Sequence, residues 1–590
     1  MNGHRIYISK IQKRMFLLAF ATAFAAAFTQ TLAVLIDKVI VCAFYGETEI
    51  AAVALAGPFF YLLEMPAAGL AAGVQTICAK ELGAGQIERM NRKFNQIFYF
   101  SAIVLAALTV LSFLFVPQMV FLFGARGKTA ELGPYAARYL YGLSFEIIPY
   151  VLFCIMTPVV ILDNGGRLVT IASAAGCVTD ILLDLMSVRF GWGLFGIGLA
   201  SSASAAVYFL VTMLHFVRRK GIIRLRFDRI RPGELGEIFT ASAPKAALSL
   251  ADAVCSVLFI SVVSVTGGVV GACVLSIHTT VNYFILVLAQ GIAGAVGVMT
   301  GISCGEKNGD DLAAIGALAH RYDLLLSALV LTALGFSAIP LSVILTESEA
   351  AAELLVFAFF CIVCTVPFSF LIQARISYLQ AIRKIKEAQH LGTGSNLIAL
   401  AASACLLVIP FGVRGVFLAY PVSQIAVLAV IWAMHVRRTG KIYPPASDYL
   451  EVDESFRAGP GDVIDYPIRT REDCALASEQ VMMFCRGHKL AERQIFLAGL
   501  CVEELTTNVI EHGISPRQTI RTADIRVVLD RGDVIIRARD SGPAFNLKRF
   551  AERMEAGGSE TGNGIRILVN ASKNVSYYRT YGMNTTIIRI

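Results

Sequence analysis

Three aspartates set in apolar sequence are the residues best placed to do chemistry: Asp37, Asp180 and Asp184. A carboxylate at mid-membrane costs roughly 2.5–3.5 kcal/mol on insertion scales, so its retention points to a use. Asp180 and Asp184 are four residues apart and share one helix face. Two close carboxylates cannot both stay charged without a cation, so such a set takes up a proton or binds Na⁺. That is the chemistry a cation-coupled exporter requires. The bland alternative is that Asp180 or Asp184 caps a helix near the outer surface. Glu64 and Glu146 fall in other apolar runs and are weaker candidates, for a cavity wall or an interface.

A second group lies in the polar last quarter. Glu503-Glu504-Leu505-Thr506-Thr507-Asn508 falls within Leu490 to Glu511, which reads as a helix. Glu504 and Asn508 then share a face, so a carboxylate base and an amide oxygen for Mg²⁺ point at the same phosphates. Asp540-Ser541-Gly542 directly follows a strand pattern. An aspartate there accepts a hydrogen bond from an exocyclic amine, and Gly542 lets a base approach the backbone. Gly557-Gly558 and then Gly562-Asn563-Gly564 lead into a helix whose N-terminus suits phosphate. There is no GxxxxGK[ST] loop, which argues against a P-loop ATP motor.

The elements that must position these residues follow from composition. The chain is 56% hydrophobic and only 16% charged, against about a quarter charged in soluble proteins. The deficit is confined to the first three quarters. Apolar runs at about 15–43, 51–79, 96–123, 134–162, 168–189 and 194–217 are each long enough to cross a bilayer. Six more follow at about 239–265, 271–302, 319–345, 352–382, 391–411 and 414–436. Lys and Arg gather at alternate ends, as in Arg89-Met90-Asn91-Arg92-Lys93, Arg218-Arg219-Lys220 and Arg437-Arg438, while Glu47 and Glu49 mark a short acidic loop on the other side. The positive-inside rule therefore predicts both ends of the membrane part, and with them the C-terminal domain, on the cytoplasmic side; the expected location is a bacterial inner membrane. Basic residues spent this way do not indicate nucleic acid. Cysteines scattered through apolar runs exclude a disulfide framework, and Cys361-x-x-Cys364 reads as a buried structural pair.

The two sets of six runs are related. Gly46, Gly69, Ala71 and Gly83 correspond to Gly268, Gly291, Ala293 and Gly305 at one offset, and Gly196, Leu199, Ala200 and Ser204 to Gly415, Leu418, Ala419 and Ser423 at a nearly equal one. Such a parallel repeat predicts a substrate cavity between halves. Asp37 aligns with Phe259 and Asp184 near Ser403, so the acids belong to one half. With Ile36-Asp37-Lys38-Val39-Ile40, Gly69-Leu70-Ala71-Ala72-Gly73, Asp180-Ile181-Leu182-Leu183-Asp184 and Gly196-Ile197-Gly198-Leu199-Ala200-Ser201 in order, residues 10–436 resemble the multidrug and toxic compound extrusion (MATE) family. The resemblance implies an ion site of Asp37, Asp180, Asp184 and Ser201. Asp180 stands where the family has asparagine, which leaves H⁺ or Na⁺ open.

Pro444-Pro445 and Gly459-Pro460-Gly461 mark a linker, beyond which Ile525–Leu529 and Val534–Ala538 read as strands of an α+β sandwich. The three clusters in order resemble the GHKL (histidine-kinase-like) ATPases, most closely the anti-sigma-factor serine kinases. The closing Gly582-Met583-Asn584-Thr585-Thr586 fits that subgroup. The resemblance implies ATP and Mg²⁺, with Glu504 as base, Asn508 as Mg²⁺ ligand, Asp540 on adenine, and Gly542, Gly562, Gly564 and Thr586 around the nucleotide. Pro543-Ala544 replaces a second glycine of that pattern, which bears on turnover more than on binding. His512 reads as structural.

The expected organisation is a half at 1–217, a basic connector at 218–238, a half at 239–437, a linker at 438–461 and an ATP-binding domain at 462–590. The expected function is a cation-coupled antiporter of small organic compounds, regulated by that domain. The alternative is a membrane-tethered, anti-sigma-like serine kinase acting on a small regulatory protein, with the spans as sensor.

Overall fold

The computed structural model describes the chain outside residues 1–7, 9, 46–48, 50–51, 54, 124–130, 219–220, 228–230, 307, 347, 441, 443–460, 469, 513–522, 531, 548–549 and 553–562. Among the described residues, twelve helices are long and apolar enough to cross a membrane. The first half holds α1 (Lys10–Phe44), α2 (Gly57–Gly83), α3 (Ile87–Leu114), α4 (Gly133–Leu162), α5 (Gly166–Phe190) and α6 (Gly193–Val217). The second holds α7 (Pro232–Val263), α8 (Cys273–Gly305), α9 (Gly309–Leu345), α10 (Glu349–Ala381), α11 (Ile385–Phe411) and α12 (Val413–Thr439). Leu108, Leu111, Phe336, Ile339 and Ile409 stand exposed on the outside, as a lipid-facing surface requires. Helical hydrogen bonding runs almost unbroken from Pro232 to Gly305. The turn between α7 and α8 is made at Gly268, whose φ of 56° is costly for any residue with a Cβ.

Several helices begin earlier than their apolar runs. α3 starts at Ile87 and α9 at Gly309, because hydropathy marks only the hydrocarbon depth while backbone hydrogen bonding continues into the interface. The basic connector is accordingly shorter than expected, since α7 already begins at Pro232. Cys361 is buried but Cys364, three residues on along α10, is exposed. The thiols of that pair therefore face different surroundings.

The halves meet along α2. A Cβ on Gly69 would stand 2.9 Å from the Ala246 side chain, and one on Gly73 would stand 2.1 Å from Ser242 Oγ. Small residues let these backbones approach where lipid supplies no hydrophobic drive between helices. At one end of the bundle the approach is closest: a Cβ on Gly83 would lie 2.1 Å from the Ile302 carbonyl oxygen, and one on Gly305 would lie 2.4 Å from that of Lys80. The same end is tied by charge. Lys93 of α3, almost fully buried, sits 2.7 Å from both Glu81 and Glu237, and Arg383 also pairs with Glu237. The two halves are thus closed against each other there.

The C-terminal domain caps this closed end. Its strands β1 (Val463–Ile468), β2 (Ala523–Asp530), β3 (Asp533–Asp540), β4 (Asn574–Thr580) and β5 (Met583–Arg589) form an antiparallel sheet in the order β1-β2-β3-β5-β4. Helices α13 (Arg471–Gly487), α14 (Glu492–His512) and α15 (Asn563–Ala571) belong to the same domain. α13 opens on a capping box of Thr470 and Asp473. Val481, Val502, Ile536, Leu568 and Ile588 share this domain's core.

Candidate coupling, nucleotide and docking sites

Asp37 is carried on α1, Asp180 and Asp184 on α5, and their carboxylates lie within 4.8 Å of one another. Asp180 and Asp184 are buried and lie within α5, whose end residues are capped at Gly165 and Gly191. Asp37 Oδ1, Asp180 Oδ1 and both oxygens of Asp184 have no hydrogen-bond partner among the described residues. A buried ionised carboxylate without a partner is strongly unfavourable, so three together fit a bound cation or protons. Close packing places them. A Cβ on Gly198 of α6 would stand 2.4 Å from the Tyr139 carbonyl oxygen, and one on Gly176 of α5 would enter the Tyr208 ring. Glycine at these points lets α4, α5 and α6 close around the cluster.

The remaining expected residues separate. Ser201 is buried, and its hydroxyl donates to the Ile197 carbonyl at 3.4 Å. Ser204, quoted from sequence only as part of the repeat, is buried on the same helix and donates to the Ser201 carbonyl at 3.1 Å. Glu146 is buried, with Oε2 unpartnered, and feels the charges of Asp180 and Glu64. Glu64 is exposed between the halves and accepts a 2.8 Å hydrogen bond from Tyr150. Across the seam, Asn396 donates to Asp252 at 2.8 Å and Tyr61 donates to Ser256 at 3.2 Å, with the Lys245 charge acting on both Glu64 and Asp252. Sequence reading missed this second polar group, although Asp252 is a carboxylate within the apolar run 239–265 and carried the same signal as Asp37. At the place of Asp37 in the second half, Phe259 meets Tyr420 edge-on at 5.5 Å, and Tyr420 also lies 4.8 Å from the buried His278 ring. Aromatic rings fill the position that carboxylates hold in the first half.

In the C-terminal domain, Glu504 and Asn508 lie one turn apart on α14, where Asn508 Nδ2 donates to the Glu504 carbonyl at 2.7 Å. A Cβ on Gly564 would stand 2.0 Å from Glu504 Oε1, so the start of α15 rests directly on the Glu504 carboxylate. Burial raises that carboxyl above its ordinary value, and Glu503 adds to the rise. Asp540 Oδ1 accepts from Gly542 N at 2.7 Å and from Asn584 Nδ2 at 2.8 Å. Burial pushes Asp540 up, while the bonds from Asn584 and Gly542 oppose it. Strand register puts Asn584 opposite Asp540 and Thr586 opposite Ala538, hence on one sheet face. Asn584, not expected as a site residue, thus orients the aspartate. Gly562, Gly557-Gly558 and the His512 side chain lie outside the described residues, as does most of the linker. An amide and a carboxylate on one helix face, above a glycine-led helix and a strand-end aspartate, fit Mg²⁺ and a nucleotide.

The other face of the same sheet meets the helix bundle. Arg537 and Arg539 alternate with Ile536 and Ala538, so they point away from the domain core. Arg537 Nη1 lies 2.5 Å and Arg539 Nη2 2.9 Å from Glu306 Oε2, in the turn between α8 and α9. All three side chains are at most 4% exposed. Asp311 stands 3.4 Å from Arg539 and accepts from Gln12 at 2.6 Å, and the Tyr578 hydroxyl donates to Glu306 at 3.1 Å. Burial alone would raise the Glu306 carboxyl, but Arg539 and Arg537 outweigh it and hold it below its ordinary value. The first half is gripped too. Ser576 donates to the Gly85 carbonyl at 2.6 Å, Thr580 to that of Leu162, and the Gly582 amide donates to Asn164 Oδ1 at 2.8 Å. One sheet face therefore bridges both halves.

Comparison with known proteins agrees with this division. The MatE family model matches residues 22–186, and the histidine kinase-like ATPase domain model matches residues 470–590. The multidrug export protein MepA of Staphylococcus saprophyticus is 28% identical over 215 residues, covering 35% of this chain and 46% of that protein; the match thus spans about half the length of that relative. Among solved structures, an outward-facing multidrug resistance MATE family transporter superposes with a TM-score of 0.66 at 20% identity, over 74% of this chain and 98% of that one. A Vibrio cholerae MATE transporter variant gives 0.67 at 15% identity, over 73% and 98%. The chain thus joins a MatE region, within a twelve-helix bundle of the MATE transporter fold, to a histidine kinase-like ATPase domain.

Proposed function

We propose that this protein is a cation-coupled antiporter of a bacterial inner membrane that exports small organic compounds. The observation that carries the reading is the buried triad of Asp37, Asp180 and Asp184, whose oxygens lack partners. A set that must hold H⁺ or Na⁺ when closed, and release it when opened, links an ion gradient to the movement of the two halves. Asp37 and Asp180 sit on different helices, so a relative shift of α1 and α5 changes the carboxylate spacing and hence the affinity. The carboxylates of Glu64 and Asp252, with Tyr61 between the halves, suit a substrate that is an amphipathic cation. Efflux of ethidium from loaded vesicles under an imposed H⁺ or Na⁺ gradient tests the reading. Efflux that ignores both gradients would sink it.

The C-terminal domain serves, in this reading, as a cytoplasmic ATP-responsive regulator. Its sheet touches both halves at the end where Gly83 and Gly305 close, so opening that end requires the Arg537 and Arg539 contacts or the Ser576 and Thr580 contacts to yield. Asp540 lies on β3 just beyond Arg539, with the nucleotide face and the docking face back to back. In the resembling role, Asn508 holds Mg²⁺, Asp540 reads adenine, Gly542, Gly562, Gly564 and Thr586 frame the nucleotide, and Glu504 is the base. Transport measured with and without ATP on the domain side tests this. The serine-kinase alternative leaves the buried acids of the bundle without a task; phosphate transfer from ATP to an added regulatory protein, with no gradient-driven efflux, would restore it.

A further inference from the structure

A cavity of about 980 Å³ opens where α3, the connector after α6 and the C-terminal domain meet. That volume lies within the range of small-molecule sites. Four arginines line it, Arg89 and Arg92 at the start of α3 and Arg224 and Arg226 on the connector, with the acidic Glu88 beside them. Arg92 is already paired with Glu234 at 3.0 Å, and Arg89 lies 3.6 Å from Glu81. Arg224 and Arg226 pair with no carboxylate among the described residues. Their backbone is held in place. Asn91 accepts from Arg224 N at 2.8 Å and donates to the Ile222 carbonyl at 3.1 Å, while Asn95 donates to the Arg224 carbonyl at 3.0 Å. Asp163 fixes the same segment by accepting from the amides of Ile222 and Ile223. The connector therefore presents its arginines from a pinned frame.

The facing wall belongs to the domain and includes Ser576, Tyr577 and the carboxylate of Glu552. Tyr577 donates to Asn584 Oδ1 at 2.9 Å, and Asn584 holds Asp540. The wall is thus two hydrogen bonds from the candidate adenine contact, yet neither Glu504 nor Gly564 lines the cavity. We propose that this seam cavity is a separate binding site for a phosphate-bearing anion, held chiefly by Arg224 and Arg226. Guanidinium groups suit phosphate through paired N–H donors. The phosphate belongs either to a soluble polyphosphate or to an anionic lipid headgroup, since the α3 end lies at the bilayer surface.

Inorganic pyrophosphate binding to the purified full chain tests the site, measured by calorimetry in nanodiscs of phosphatidylcholine and of phosphatidylglycerol. Binding in phosphatidylcholine that falls at least tenfold in Arg224→Gln/Arg226→Gln, but persists in Asn508→Ala, supports a soluble anion. Binding lost in phosphatidylglycerol nanodiscs, with that lipid retained by the wild type and not by the double variant, supports the headgroup. Glu552→Gln should tighten pyrophosphate binding several-fold, a gain that misfolding cannot produce. Binding unchanged by both sets of variants, or absent together with any Arg-dependent lipid retention, would overturn the proposal.

Discussion

Arg539 Nη2 lies 2.9 Å from both carboxylate oxygens of Glu306, a bifurcated contact between a strand of the ATPase-like domain and the turn joining α8 to α9. Arg537 closes on the same carboxylate from the next outward position of the strand. Three buried ionic groups lose hydration on docking, and their mutual attraction repays that loss only when the set is complete. The contact is therefore sensitive to removal of any one member.

Removing one partner should undock the sheet. Arg537→Ala or Arg539→Ala leaves Glu306 under-compensated at a cost of about 3–5 kcal/mol in the buried setting. Hydrogen exchange should then rise at residues 82–86 and 162–165, which the sheet covers through Ser576, Thr580 and Gly582. Unchanged exchange at both loops would show that the arginines do not hold the dock.

The same contact sets a pH dependence. Glu306 is depressed below its ordinary 4.5, so its stabilising share is complete above that value. It is lost as pH falls from 4.5 through the depressed value. Docking should be flat through neutral pH and weaken only in that acid range, and Glu306→Gln should dock weakly at every pH. Exchange at 82–86 measured against pH checks this.

In the nucleotide site, Gly564→Ala would place a methyl group 2.0 Å from Glu504 Oε1. Binding of a fluorescent ATP analogue should fall at least tenfold, with the domain still folded by circular dichroism. Any ATP hydrolysis should rise with pH through a value above 4.5, since Glu504 is raised and a base acts only when ionised. Glu504→Gln should remove that hydrolysis while retaining binding.

The closed end of the bundle is equally exposed to a single methyl. Gly83→Ala puts a Cβ against the Ile302 carbonyl oxygen, where backbone cannot give way by a side-chain rotation. The halves should part there, and Cys304, buried on α8, should label faster with a maleimide. Equal labelling would show that this contact is not the closure.

Much of this was legible in the sequence, and the reasons differ by element. The twelve helices are visible because apolar length is a property of each segment alone. Asp37, Asp180 and Asp184 stand out because charge in such segments is rare, and the MatE match over 22–186 covers all three. Helix starts such as Ile87 and Gly309 are not visible, since the interface tolerates polar helix. Ser201 and Ser204 turn their hydroxyls to carbonyls of their own helix, Ile197 and Ser201, a rotamer choice that spacing does not reveal. Arg537 and Arg539 carried a signal, two charges on one face of an otherwise apolar strand, but nothing local says that Glu306 waits more than 230 residues away. Asn584 is fixed by cross-strand register, which no single strand reveals.

The account rests most heavily on the three carboxylates. Ethidium efflux from reconstituted vesicles should be compared for wild type, Asp37→Asn and Asp184→Asn, each with and without an imposed H⁺ or Na⁺ gradient. Wild type should respond to one of the gradients, and both variants should lose at least tenfold of that response while their folded yield stays unchanged. Gradient-driven efflux at the wild-type rate in either variant would contradict the assignment of the coupling site.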